Sequence, residues 1–179
     1  MTADAPGEIN RIAVIGCSGA GKSTLSRQLG ERLRIPVVHL DCLFWKSGWI
    51  ESPRDDFAKR VRDAVAADRW VLDGNFGSTQ HIVLPAADTI VWLDFPRRIC
   101  MWRIMKRLIT YFGRTRPDLP DGCPEQVDFE FLEYVWTFHE DTRPRMIGRL
   151  GQRSADQTLV VLRSPADVAQ FRREMGIDT

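Results

Sequence analysis

No stretch of about 18 consecutive apolar residues is present, so a bilayer-spanning helix is not expected. The opening residues, Met1-Thr2-Ala3-Asp4-Ala5-Pro6-Gly7-Glu8, lack the apolar run of a secretion signal. Cysteine is scarce: Cys17, Cys42, Cys100 and Cys123 lie far apart, with no C-x-x-C spacing. That is too sparse for a disulfide scaffold or a zinc site and fits a reducing cytoplasm. Neither charge sign dominates, with 25 basic and 24 acidic residues and a net charge of +1. A protein that coats a polyanion is therefore not expected, and neither a helix-turn-helix nor a basic tail is recognisable. Nucleic acid remains a possible partner that the charge does not support. Of the three histidines, His81 and His139 show no ligand spacing and are assigned no role. Lysine is rare as well: of the 25 basic residues only Lys22, Lys46, Lys59 and Lys106 are lysines. The planar fork of arginine suits phosphate oxygens, although a G- and C-rich genome produces the same bias, so placement decides.

What is present is enough for one domain with a core: 179 residues, 44% hydrophobic. A flexible tail is expected over 1–10 and a single domain over 11–179. Arg11-Ile12-Ala13-Val14-Ile15-Gly16 reads as a buried parallel strand. Residues 22–34 follow a helical period through Leu25, Leu29 and Leu33. Further strands are expected at 36–40, 69–73, 89–94 and 159–162. Helices are expected from Ser52-Pro53-Arg54-Asp55 with Ser52 as cap, over 97–112 and 125–140, and from the similar start Ser164-Pro165-Ala166-Asp167. Strands alternating with helices predict a parallel sheet covered on both faces. The segment 113–124 holds three of the ten prolines and no apolar period, which reads as a surface flap.

Gly16-Cys17-Ser18-Gly19-Ala20-Gly21-Lys22-Ser23 fits G-x-x-x-x-G-K-[ST] after a strand and before a helix. The glycines let successive N–H groups turn inward around phosphate oxygens, and the helix adds its positive amino end. The expected nucleotide contacts are Gly16, Ser18, Gly19, Ala20, Gly21, Lys22, Ser23 and Thr24. Lys22 is suited to bridging terminal phosphates and Ser23 to ligating Mg²⁺; Cys17 reads as filler rather than nucleophile. Asp73 and Asp94 both end apolar strands and either can orient the metal through water, with Asp73 favoured because Gly74 permits close backbone approach. Arg103 and Arg107 share a helix face, with Met101, Ile104, Met105 and Leu108 on the buried side. With Arg114 and Arg116 of the flap they can gather around a triphosphate.

Four segments resemble the adenylate-kinase-like group of P-loop kinases: Gly16–Ser23, Trp70-Val71-Leu72-Asp73-Gly74, Leu93-Asp94-Phe95-Pro96 with Arg103 and Arg107, and the flap at the position of that group's lid. His39-Leu40-Asp41 with Trp45 and Trp49, Asp73-Gly74-Asn75, and Arg116-Pro117-Asp118 through Gly122-Cys123-Pro124 resemble more narrowly the DNA topology modulation (FlaR-type) proteins. The likeness spans most of residues 11–163. It implies a three-layer α/β/α P-loop NTPase fold with a five-stranded parallel sheet in the order 2-3-1-4-5, ATP as donor, and mobile acceptor (about 41–68) and lid (about 113–127) segments. It also implies Arg103 near the adenine or lid hinge, Arg107 on phosphates, and Asp73 holding the hydration shell of Mg²⁺. Adenylate kinases follow Asp-Gly with Phe-Pro-Arg; here the run is Asn75-Phe76-Gly77-Ser78, which speaks against AMP as acceptor.

On the acceptor side, Asp41 can receive a proton from a hydroxyl, and Trp45 and Trp49 either stack a flat group or belong to the core. His39, by strand alternation, points elsewhere. The expected activity is transfer of the γ-phosphoryl of Mg-ATP to a small acceptor, a nucleoside monophosphate or related metabolite. The catalytic set is Lys22, Arg103, Arg107, Arg116 and Asp41, in a monomer or small homo-oligomer. The alternatives are a nucleotide-binding regulator associated with DNA topology and a shikimate- or gluconate-type metabolite kinase. A GTPase is disfavoured by the lack of Asn-Lys-x-Asp, and a ring-forming ATPase by length.

Overall fold

A computed structural model describes residues 9–116 and 118–177. Of the expected tail, residues 1–8 lie outside that range, while Asn10 donates its backbone N–H to Asp88. Strand β1 (Arg11–Gly16) leads through the glycine loop into α1 (Lys22–Leu33) and β2 (Val37–His39). The short α2 (Leu40–Phe44), the hairpin strands β3 (Trp45–Lys46) and β4 (Ile50–Glu51), and α3 (Arg54–Val65) follow. Then come β5 (Trp70–Asp73), α4 (Gln80–Ala86), β6 (Thr89–Leu93), α5 (Arg97–Tyr111), α6 (Phe129–Asp141), α7 (Arg143–Gly151), β7 (Thr158–Leu162) and α8 (Pro165–Glu174).

Five strands form one parallel sheet in the order β2-β5-β1-β6-β7, which is 2-3-1-4-5 when those five are counted along the chain. Ile12–Ile15, at the centre, are covered on both faces, which is why this strand reads as an unbroken apolar run. From β1 the chain passes to the edge strand β2, returns inward to β5 between β2 and β1, and then crosses to β6 and β7 on the other side. The carboxyl ends of β1, β5 and β6 therefore open onto one crevice, where ligands bind in sheets of this kind. Register places Val14 beside Asp73 and His39 beside Asp73, so the ends of β2 and β5 meet. Gly30 lets α1 lie close to the sheet: a methyl group there would come within 2.2 Å of Val37 Cγ2.

Several local expectations are corrected. Ser52 does not cap α3; Pro53 stands at that position, and the buried Ser52 faces the Leu43 carbonyl and Arg60. At the second Ser-Pro-x-Asp site the capping box does form, between Ser164 and Asp167. The helix expected over 125–140 begins at Phe129, because Asp128 caps it through the Phe131 N–H at 3.0 Å while Glu125 is drawn into the site. Met105 is exposed, since the buried stripe of α5 runs Cys100, Ile104, Leu108 and leaves Met105 to one side. Leu119 and Cys123 of the flap are buried, because the flap is docked rather than free. Among the described residues no helix is long and apolar enough to cross a membrane.

Candidate active site

The loop after β1 is shaped by three glycines with left-handed φ angles: 141° at Gly16, 79° at Gly19 and 101° at Gly21. Two of them are also closed in. A Cβ at Gly16 would lie 2.4 Å from the Leu93 carbonyl oxygen, and one at Gly19 2.4 Å from that of Cys100. The loop is thus clamped against β6 and α5, and its amides need no reorganisation to receive an anion. Lys22 Nζ donates to the Cys17 carbonyl at 3.1 Å, within its own loop. The Cys17 thiol is buried, and its hydrogen bond with Cys100, together with burial, pushes its pKa up, which removes it as a nucleophile.

This loop forms one wall of a cavity of about 830 Å³, within the range of small-ligand sites. Ser18, Gly19, Gly21, Lys22, Ser23 and Thr24 line it, joined by Asp41, Asp73, Arg103, Arg107 and Arg116. Gly16 and Ala20 do not line it; Gly16 packs on Leu93, and the Ala20 carbonyl accepts from Arg103 Nη1 at 2.8 Å. Arg103 also lies over the Phe95 ring, 4.9 Å from its centroid, so it braces the loop from α5. Of the four arginines expected around the hinge, Arg114 is exposed and does not line the cavity.

Arg107 and Arg116 converge on one carboxylate that sequence reasoning did not single out. Glu125, its side chain only 5% exposed, accepts from Arg107 on Oε1 and from Arg116 on Oε2, each at a closest approach of 2.7 Å. Arg116 also pairs with Asp118 at 2.7 Å. Burial, with Arg116 beside it, lowers the Arg107 pKa. The flap is further fastened to the β3–β4 hairpin: Trp49 Nε1 donates to the Pro124 carbonyl at 2.9 Å and the Gly48 N–H to the Gly122 carbonyl at 2.9 Å. Flap and hairpin thus meet at the cavity, which Trp49 lines. Trp49 carries the unusual φ of 60°, which turns its indole to this contact. Trp45 and Trp49 both line the cavity, edge to face at 5.3 Å and 78°, and not as a parallel stack.

The carboxylates separate cleanly. Asp94 accepts both arms of Arg143 at 2.8 Å, lies 3.9 Å from Arg163, and does not line the cavity. Asp73 does line it; its Oδ1 lies 2.8 Å from His39 Nδ1, and its buried Oδ2 has no hydrogen-bond partner among the described residues. His39 does not itself line the cavity but is turned to Asp73, which does. β2 ends at His39, and Asp41 belongs to helix α2, so the two do not lie on a common strand. The bond to Asp73 raises the His39 pKa against the opposing effect of burial. Burial likewise raises the Asp41 carboxyl, Lys22 pulls it down, and Asp73 pushes it up again. Gly74, at φ 142°, does bring the backbone close to a neighbour, but that neighbour is Leu40, whose Cβ would lie 2.6 Å from an added methyl. A polar chain also escaped sequence reasoning: Arg149 bonds Gln80, Gln80 Nε2 donates to Asn75 Oδ1 at 2.6 Å, and Asn75 Nδ2 donates to the Tyr134 hydroxyl at 3.2 Å. It fixes Asn75 and Tyr134 at the cavity wall, and no local motif announces it because its members come from four separate segments.

Comparison with known proteins agrees with this architecture. The family model described as "AAA domain" matches residues 12–108, more than half of the chain. No curated protein matches the sequence. Shikimate kinase from Acinetobacter baumannii, solved in complex with shikimate, superposes with a TM-score of 0.60 at 13% identity, covering 94% of each chain. Shikimate kinase from Bacteroides thetaiotaomicron superposes with a TM-score of 0.58 at 14% identity, covering 94% of this chain and 99% of that one. At such identities the likeness is one of fold.

Proposed function

We propose that this chain, which belongs to the AAA-domain family, is a phosphotransferase that moves the γ-phosphoryl of ATP to the hydroxyl of a small acceptor. The observation that carries the reading is a single cavity in which a phosphate loop with its lysine, a carboxylate with raised proton affinity, and two flap-associated arginines face one another. A docked flap suits transfer rather than hydrolysis, because an open site would deliver the phosphoryl to water.

The donor's phosphates rest on the amides of residues 18–24, with Lys22 leaving the Cys17 carbonyl to bridge the terminal pair. The acceptor enters between Asp41, Trp45 and Trp49. Asp41 takes the hydroxyl proton as the oxygen attacks in line, the new P–O bond forms, and the bond to the ADP oxygen breaks. Arg107 and Arg116 shift from Glu125 toward the charge on the migrating group, and Arg103 keeps the loop in place. The residues present fit a magnesium ion, since Ser23, which carries a hydroxyl, lines the cavity and the buried Asp73 Oδ2 is unpartnered among the described residues. When bound there, through Ser23 and a water on Asp73, the ion would neutralise phosphate charge. The shikimate kinase fold favours a small hydroxylated acceptor over a macromolecule.

The test is Lys22→Ala in an ADP-release assay with a panel of nucleoside monophosphates and hydroxy-metabolites. Turnover is expected to fall about 10²-fold or more, equivalent to roughly 2.7 kcal/mol of barrier. Unchanged turnover overturns the reading. ATP binding with transfer to no acceptor would favour a nucleotide-operated switch instead.

A further inference from the structure

The charges around the cavity are not evenly spread. Lys22, Arg27 and Arg103 belong to the phosphate-loop side, and Arg107 and Arg116 are already matched by Glu125 and Asp118. The opposite side, built by α2, the β3–β4 hairpin and the loop after β5, contributes Asp41, Trp45, Trp49, Glu51 and Phe76 to the lining but no lysine or arginine. Basic residues do occur in this stretch of chain, yet they are turned elsewhere. Arg60 donates to the Leu43 carbonyl and the Ser52 hydroxyl, and neither Lys46 nor Arg54 lines the cavity.

Asp41 and Glu51 form no ion pair among the described residues. A phosphomonoester or carboxylate docked here would meet two carboxylates, and the nearest guanidinium, that of Arg116, is already paired with Asp118 and Glu125. Beside these carboxylates, Trp45 and Trp49 stand edge to face and form an aromatic corner. The hydrogen bond from Trp49 to Pro124 fixes one wall of that corner while the flap is docked. Unpaired carboxylates next to electron-rich ring faces are the recognition chemistry of an organic cation.

We infer that the acceptor carries an ammonium group beside the hydroxyl that is phosphorylated, with the cation seated between the Trp45–Trp49 corner and the carboxylates of Asp41 and Glu51. This rests on the phosphotransferase reading of the same cavity and narrows it to amino alcohols and related amino-bearing hydroxy compounds. Asp73 and Asp118 reinforce the negative potential at Asp41, against the opposing fields of Lys22 and Arg116.

Choline, its neutral isostere 3,3-dimethylbutan-1-ol and the anion 4-hydroxybutyrate probe this directly, because they share a hydroxyl at similar reach and differ in charge. The full chain is titrated with each by calorimetry and tryptophan fluorescence in the absence of nucleotide. Choline is expected to bind saturably, with a Kd about 10-fold or more below that of the isostere. In Glu51→Gln, a change at an exposed hairpin residue, this preference should shrink by about 3-fold or more. Equal or tighter binding of the isostere or the anion, no saturable choline binding, or an unchanged preference in Glu51→Gln would each overturn the inference. Since no nucleotide is present, a failed titration leaves the phosphotransferase reading intact, and a failed Lys22→Ala test leaves the cation site intact.

Discussion

Glu125→Gln removes the charge on which Arg107 and Arg116 converge while keeping the shape of the side chain. In the protein as it stands, two guanidiniums whose side chains are 21% and 14% exposed share a carboxylate that is 5% exposed. Breaking a buried pair by removing one partner costs about 3–5 kcal/mol, because the other charge is left without compensation. Here Asp118 continues to hold Arg116, and the new amide still accepts one hydrogen bond, so the loss falls mainly on Arg107. An apo destabilisation of about 2–3 kcal/mol is expected, which for a chain of this size is roughly 4–12 °C in Tm. Tripolyphosphate or ATP should restore more stability to the variant than to the parent, since phosphate oxygens replace the missing carboxylate only where it is missing. Thermal melts with and without 5 mM-scale ligand (an order of magnitude, about 100 times a typical Kd) read both effects. A Tm drop under about 2 °C, or equal stabilisation by ligand, would refute the idea that Glu125 occupies the place of a phosphate.

Three further outcomes follow from the geometry. Burial raises the Asp41 pKa, and the ionised form is the proton acceptor, so kcat/KM should fall on the acid side at a pH above the ordinary carboxylate range. Asp41→Asn should remove that limb and lower kcat by about 10²-fold; a surviving limb assigns it to another group. Arg143→Ala leaves Asp94 buried without its bidentate partner and should cost about 3 kcal/mol in urea denaturation, with turnover of the folded fraction unchanged. A matching loss of turnover would return Asp94 to the site. Gly19→Ala places a methyl against the Cys100 carbonyl at a φ that disfavours side chains, so ATP affinity should drop at least about 10-fold by calorimetry. Gly148→Ala, in open space on α7, is the control and should stabilise by about 0.5–1 kcal/mol.

The features that were legible in the chain are those whose cause is local. A short apolar run that ends in glycine reads as an inner strand, and a glycine-rich turn followed by Lys22-Ser23 has the backbone freedom to curl its amides inward. Arg103 and Arg107 lie on one face because a helix has 3.6 residues per turn. From such signals the strands, the phosphate loop and the flap could be placed along the chain, while the order of strands in the sheet came from the resemblance. The hairpin at 45–51, α4 and α7 were missed because two-residue strands and short helices interrupted by Pro85 or begun beside Pro144 carry too little periodicity.

The sequence by itself determined where phosphate can sit, because that capacity resides in eight consecutive residues and their own backbone. Only the tertiary structure decided which carboxylates face that place. Asp73 and Asp94 end similar apolar strands, yet one faces the cavity and the other is sealed by Arg143 from 49 residues away in the chain. Likewise Glu125 became the keeper of two arginines, and His39 the partner of Asp73, through contacts between distant segments. Charge pairing acts through space, and no pattern of neighbours along the chain records which opposite charge will arrive.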